Sequence, residues 1–377
     1  MLWLRAAGAD PPDPVQFARG IRVEMTYGDA VVSRGAMRIR LFHTPLFGFS
    51  ANADSTQIEF DFNDCWTFGE PEQKTFTLDM LEARLDNAAA LKLHRAGHYQ
   101  EAVPGFQRAL RLDPGYLLAG FNLASALNLA GQREKAAAIL LPFVARNVAK
   151  IYLAALQDPE LTPLLDQPSL AALRAHPPGT AVLKTWNTDW IAYSPKHGRL
   201  AVLDPHDGLR VFALTPGRLD AVLNLGDRIP QWSGEGSLWR EREQVTKAME
   251  KRAKETFARK LPAVNRFLAD LGFVEVTRRE LGKLDEAPDS FQDVQFSGSG
   301  MKLARDDSKL RLIHQGCTIA ETEAWHQHRL VKVILLPSLK TVVWRWSRNG
   351  GATDCHRQAG TEVLIPSMNA GGTCQNQ

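Results

Sequence analysis

Two histidines one residue apart, His326 and His328 in the run WHQH, make the strongest metal-ligand pattern in this chain of 377 residues. In an extended segment residues i and i+2 project to the same side. Both imidazoles could then reach one ion, with Cys317 or the pair Cys355 and His356 as further ligands, and thiolate with imidazole suits zinc. A turn or a surface position explains an isolated HxH equally well, so the two histidines stand as candidates and no metal is assigned. Cys355 with His326 is formally a nucleophile and a base, but no oxyanion donor and no orienting residue is legible beside them. Asp61 with Asp64, and Asp306 with Asp307, lack the Gly and the closing Glu of a calcium loop. The sequence holds no P-loop, no glycine-rich dinucleotide turn after a strand, no GxSxG elbow and no HExxH. Catalysis therefore ranks below binding, with no catalytic residue and no cofactor expected.

Cys65, Cys317, Cys355 and Cys374 show no CxxC spacing. Free thiols in a reducing compartment is one reading. The other is a bridge in an exported protein between Cys317, at a strand-like run, and Cys355, in the polar loop GGATDCHRQAG, with two strands between them. The start MLWLRAAGADPPDP has neither the positively charged opening nor the roughly 7-residue apolar core of a signal peptide. The cytoplasm is the default location, and export is the alternative if a leader was truncated. No run reaches the roughly 18 apolar residues of a membrane-spanning helix. The chain is 44% hydrophobic and 23% charged, as soluble globular proteins are, and its net charge of +3 is too small to imply nucleic acid or an anionic membrane.

The elements that would carry these residues divide by period. IRVEMTYG, RGAMRIRLFH and TQIEFDFND alternate or run apolar between Gly, Asp and Ser, and read as strands. So do AVLKTWN, DWIAYSP, GRLAVLDP and GLRVFAL, with turns at Lys196–Gly198 and His206–Gly208, which predicts a small antiparallel meander. From Ser237 to Leu271 the period becomes 3.6: Val245, Met249, Ala253, Phe257 and Leu261, then Val264, Phe267, Leu268 and Leu271, form one stripe, bent or divided at Pro262. The opposite face, eight Lys or Arg against four Glu over Arg240–Lys260, reads as a solvated face. KLRLIHQG, LVKVILLPS, KTVVWRWSRNG and TEVLIPS return to strands.

Between the β-rich parts the chain repeats. At one constant offset Gly97 meets Gly131, Ala102 meets Ala136, Phe106 meets Leu140, Ala90 meets Ala124 and Leu93 meets Leu127. Small residues at a tight turn and a helix crossing, recurring with a period of about 34 residues, are what a stacked helix-turn-helix array needs. Gly97, Tyr99, Ala102, Phe106, Ala109 and Pro114 fall in order and spacing so that the segment resembles the tetratricopeptide repeat family, with repeats at Ala83–Tyr116 and Leu117–Lys150. The second copy departs from the pattern, with Arg133 where an aromatic is expected and no closing Pro. Two repeats bury their apolar faces only if something caps them, and IYLAALQDPELTPLLDQPSLAALRA, with Pro159, Pro163 and Pro168 at helix-start positions, predicts one or two short helices for that role.

The expected fold class is α+β: residues 1–19 a linker or leader remnant, 20–77 β-rich, 78–176 helical repeats, 177–225 a meander, 226–273 an amphipathic helix region and 274–377 β-rich. The resemblance implies a groove, made by the first helix of each repeat, that binds a peptide of another protein. Counted from the matched positions, Arg84, Asn87, Leu91 and Arg95 with Phe121, Asn122, Ser125 and Asn128 would line it, while Gly97, Tyr99, Ala102, Phe106, Gly131 and Ala136 build the repeat. An Asn side chain can hold a peptide backbone through its donor and its acceptor, and Arg can hold a carboxylate, so an acidic or C-terminal peptide is the expected partner. Asn122 serves equally well as a hydrogen bond within the repeat. Three readings follow: a scaffold for a partner peptide, a structural stack packed in cis on its own β regions, and a metal-dependent enzyme. The partner's identity and the oligomeric state are not legible.

Overall fold

The computed structural model describes residues 15–26, 29–41, 46–51, 57–62, 72–185, 190–204, 208–214, 218–223, 225, 239–276, 282–284, 293–296, 300–306, 309–315, 317–323, 328–336, 339, 341–348 and 359–364. The fold is mixed α+β, with a helical stack and separate sheets, and among the described residues no helix is long and apolar enough to cross a membrane. The chain divides into two compact units, 1–146 with 158–171, and 147–157 with 172–377.

In the first unit β1 (Val15–Gln16), β2 (Ile21–Thr26), β3 (Asp29–Arg34) and β4 (Met37–Arg40) form an antiparallel meander, and β5 (Leu46–Ala51), β6 (Gln57–Phe62) and β7 (Glu72–Thr77) form a second one. Thr77 then caps α1 (Leu78–Arg95), its hydroxyl accepting the Met80 N–H at 3.2 Å. Next come α2 (Tyr99–Leu112), α3 (Leu117–Leu129) and α4 (Arg133–Arg146), each packed on its neighbour as a helical-repeat array.

The two helix-to-helix turns are copies. Gly97 N–H reaches His94 O and His98 N–H reaches Leu93 O; one repeat further on, Gly131 N–H reaches Asn128 O and Gln132 N–H reaches Leu127 O. This is the Schellman closure, whose pivot residue must be left-handed. Gly97 at φ 85° and Gly131 at φ 79° supply it, as glycine does without strain. Ala102 and Ala136 are both fully buried at the expected crossings.

The stack is covered at both ends by its own unit. Leu78, Leu81 and Leu85 of α1 share a core with Phe17, Ile21, Val23, Ala30 and Val32 of the first meander. Arg34 of β3 adds ion pairs to Glu82 and Asp86 of α1, each at 2.7 Å. At the other end a 3-10 turn over Thr162–Asp166, with Pro163 in its first positions, packs on α4. The intervening α5 (Val148–Gln157) belongs to the second unit, whereas α6 (Pro168–Ala171) returns to α4. Thus the cap predicted from IYLAALQDPELTPLLDQPSLAALRA is made by its second half, and the N-terminal sheet forms the other cap.

In the second unit β8 (Ile191–Ser194), β9 (Arg199–Asp204), β10 (Gly208–Ala213) and β11 (Arg218–Leu223) run as the expected meander. The helix predicted to bend or divide at Pro262 runs through it without a break, as α7 (Trp239–Asp270). Its Val264, Phe267 and Leu268 are fully buried, and Tyr152 of α5 donates to Asp270 at 2.8 Å. Beyond it β12 (Val274–Glu275) pairs with β8, giving the order β11-β10-β9-β8-β12. The remaining strands are β13 (Gly282–Leu284), β14 (Asp293–Phe296), β15 (Met301–Asp306), β16 (Lys309–His314), β17 (Cys317–Glu323), β18 (His328–Leu336), β19 (Thr341–Arg348) and β20 (Ala359–Leu364). They form two four-stranded sheets, β13-β18-β19-β20 and β14-β15-β16-β17. Ile334, Leu336 and Val343 of the former pack on Ile191, Leu200, Val202 and Phe212 of the meander.

Candidate peptide-binding site

The eight residues expected to line a groove lie on α1 and α3, and the contacts made around them fall into three parts. At the Arg84 end an open cavity of about 530 Å³ has Met80, Leu117, Leu118 and Phe121 as its apolar wall, and Arg84, Asp113, Gly115 and Tyr116 at its polar end. Leu118 is 50% exposed, which leaves a large part of an apolar side chain in water. The Asp-Pro-Gly turn between α2 and α3 shapes the polar end: Asp113 Oδ1 accepts Gly115 N–H at 3.1 Å, and its carbonyl accepts Tyr116 N–H at 3.0 Å. Arg84 is already committed here. It donates to Met80 O at 2.7 Å and to Asp113 Oδ2 at 3.1 Å, and its guanidinium lies 4.7 Å from the Phe76 ring centre and 4.5 Å from that of Tyr116. Burial pushes the Tyr116 phenol up, so it stays neutral beside this cation.

In the middle Asn122 Nδ2 donates to Asn87 Oδ1 at 2.9 Å, and Asn87 Nδ2 points to Tyr116 Oη at 3.5 Å. Asn87 is buried while Asn122 and Leu91 are half-buried, and the bond between the two amides joins α1 to α3. Arg95 is exposed.

At the far end the face is occupied. Glu160, in the loop that leads into the 3-10 turn, accepts through Oε2 from Ser125 Oγ and from His94 Nε2, the latter at 3.2 Å. Its main-chain carbonyl accepts from Asn128 Nδ2 at 2.7 Å. His94 is held on the other side by edge contacts with the Tyr99 and Phe106 rings, 5.1 and 6.3 Å between centres. Comparison with protein families, with curated proteins and with solved structures finds no match to this chain. Its helical-repeat character therefore rests on its own periodicity, and His94 and Asn128, which both hold Glu160, occupy the same position in successive repeats.

Sequence reasoning missed His94, Asp113, Tyr116 and Glu160. The first had a signal, its repeat relation to Asn128, and Asp113 had one in the Asp-Pro-Gly turn. Nothing in the local sequence ties Glu160 to residues of α1 and α3. As for metals, among the described residues no group of three or more His, Cys, Asp or Glu could hold an ion. His326 lies outside the described residues, and His328 opens β18 opposite Arg348 of β19. Cys317 is disulfide-bonded. Cys355, its expected partner, lies outside the described residues.

Proposed function

We propose that the stack is a non-catalytic scaffold of the tetratricopeptide kind. It holds a peptide of another protein along the face of α1 and α3, over Arg84, Asn87, Leu91, Arg95, Phe121, Asn122, Ser125 and Asn128. The observation that carries this reading is the open cavity beside Leu118 and Phe121, a concave apolar surface with a few fixed polar groups at one end. An apolar side chain of the partner fills it, and Asn122 offers an edge to the partner's backbone. Arg84 is neutralised by Asp113 and acts as part of the wall rather than as a carboxylate receptor.

The test is a peptide-display selection on the full chain, repeated on Leu118→Asp. Enriched peptides should carry a recurrent apolar residue and lose binding to the variant; enrichment indifferent to Leu118→Asp removes the cavity from the reading. A second reading, a structural stack packed in cis, is favoured by one observation: the chain's own Glu160 sits on Ser125 and Asn128. Under it the selection enriches nothing.

A further inference from the structure

Resting on the peptide-binding reading, we propose that His94, Ser125 and Asn128 form a subsite for an acidic residue of the partner, and that Glu160 fills it while no partner is bound. The three donors read both halves of one residue. Ser125 Oγ and His94 Nε2 meet its carboxylate, and Asn128 Nδ2 meets its carbonyl at 2.7 Å. A carboxylate with the adjoining backbone is what a peptide-recognising helix face distinguishes from a bare anion.

The internal occupant uses this subsite incompletely. Asn128 Oδ1 and His94 Nδ1 are buried with no hydrogen-bond partner among the described residues. An amide side chain reading an extended peptide accepts an N–H as well as donating to a carbonyl. Glu160 cannot supply the N–H, because its own is turned to Asp158 Oδ1 at 2.8 Å. A partner strand with both backbone groups available leaves fewer buried polar atoms unmet, so it is favoured over the residue it replaces.

Glu160 is also free to leave. Its side chain is 40% exposed and Pro159 beside it is exposed, so releasing them uncovers little apolar surface. The end cap is held separately by Leu161, Leu164, Leu165 and Leu170, none more than 1% exposed. Displacement therefore needs the Glu160 side chain to turn outward and its carbonyl to release Asn128, while the bonds from Leu161 and Thr162 to the Asp158 carbonyl stay in place. As a tethered competitor Glu160 is present at high effective concentration and lowers the apparent affinity for any acidic peptide.

The experiment titrates the full chain into a fluorescently labelled synthetic peptide, ALQDPELTPLLD, copied from Ala155–Asp166, and follows anisotropy. A second peptide carries Ala in place of the Glu. Glu160→Ala should bind the first peptide at least about tenfold more tightly than wild type. The gain should vanish with the second peptide, and also when Ser125→Ala is added. Should the loop backbone still cover the subsite in Glu160→Ala, the double variant Asp158→Ala with Glu160→Ala removes the carboxylate that holds the N–H of residue 160. No gain in either variant, with circular dichroism and melting temperature retained, overturns the proposal. So does a gain that ignores the peptide's Glu. The cavity is judged apart, because a gain that survives Leu118→Asp keeps the subsite even if the cavity reading fails.

Discussion

Asp86 holds a carboxylate where no solvent reaches it, and three nitrogen atoms keep it ionised. Arg108 grips it twice, at 2.6 and 2.7 Å, and Arg34 once, at 2.7 Å. Burial by itself would raise this carboxyl, but the two arginines outweigh it and hold the group below its ordinary value of 3.8. A carboxyl lowered on folding adds stability that is fully present above the ordinary value and is lost as pH falls through the folded one. Asp86→Asn should therefore cost about 3 kcal/mol near neutral pH, the low end for a buried pair because both arginines reach water. The gap between wild type and variant in urea unfolding should narrow as pH falls below the ordinary carboxyl value of 3.8. The two arginines expected in the groove should part company in thermal unfolding. Arg84→Ala breaks two hydrogen bonds and two ring contacts and should lower the melting temperature, whereas the exposed Arg95→Ala should leave it unchanged. From sequence the pair looked alike, since spacing places a side chain on a face and says nothing of the ring or carboxylate that reaches it from another element.

The helical elements were the most legible, because their constraints are local. A left-handed pivot demands glycine and a close crossing demands a small side chain, so Gly97, Gly131, Ala102 and Ala136 announced both turns and both crossings. Ala136→Leu should overpack its crossing by about 1–3 kcal/mol, with an unfolding midpoint well below that of the exposed control Lys135→Ala. Gly120 is a sharper case. Within a helix Gly→Ala ordinarily stabilises by about 0.5–1 kcal/mol. Here the added methyl would sit 2.5 Å from Phe143 Cε2 of α4, and Phe143 is itself buried. Gly120→Ala should destabilise, and a midpoint at or above wild type would show that the ring can move aside. What no local rule could reveal is how the ends are closed. The sheet on α1 and the turn on α4 are contacts between segments far apart in sequence, and α5, which the sequence places in the capping segment, is claimed by the second unit.

At the scale of the whole molecule the alternation of β-rich and helical stretches could be read, and the α+β class follows from it, while the pairing of strands into five sheets among the described residues could not. The cysteine arithmetic left two readings, and the bond at Cys317 favours the oxidised one. Denatured, unreduced protein should titrate no more than two thiols from its four cysteines, and reduction should lower the thermal midpoint, because a cross-link restricts the unfolded chain; four reactive thiols would remove the bridge. Equivalent positions in the two repeats have taken separate duties. Asp86 and Gly120 stand at the same place in successive copies: the first binds Arg34 of the N-terminal sheet, and the second lets Phe143 come close. The copies have become specialised as a first and a last unit, so the array has a direction. Exchanging them would place a glycine where the sheet expects an anion and an aspartate where an aromatic ring already lies, which makes chain order itself a heritable property of this stack and limits growth by duplication to insertion between its two ends.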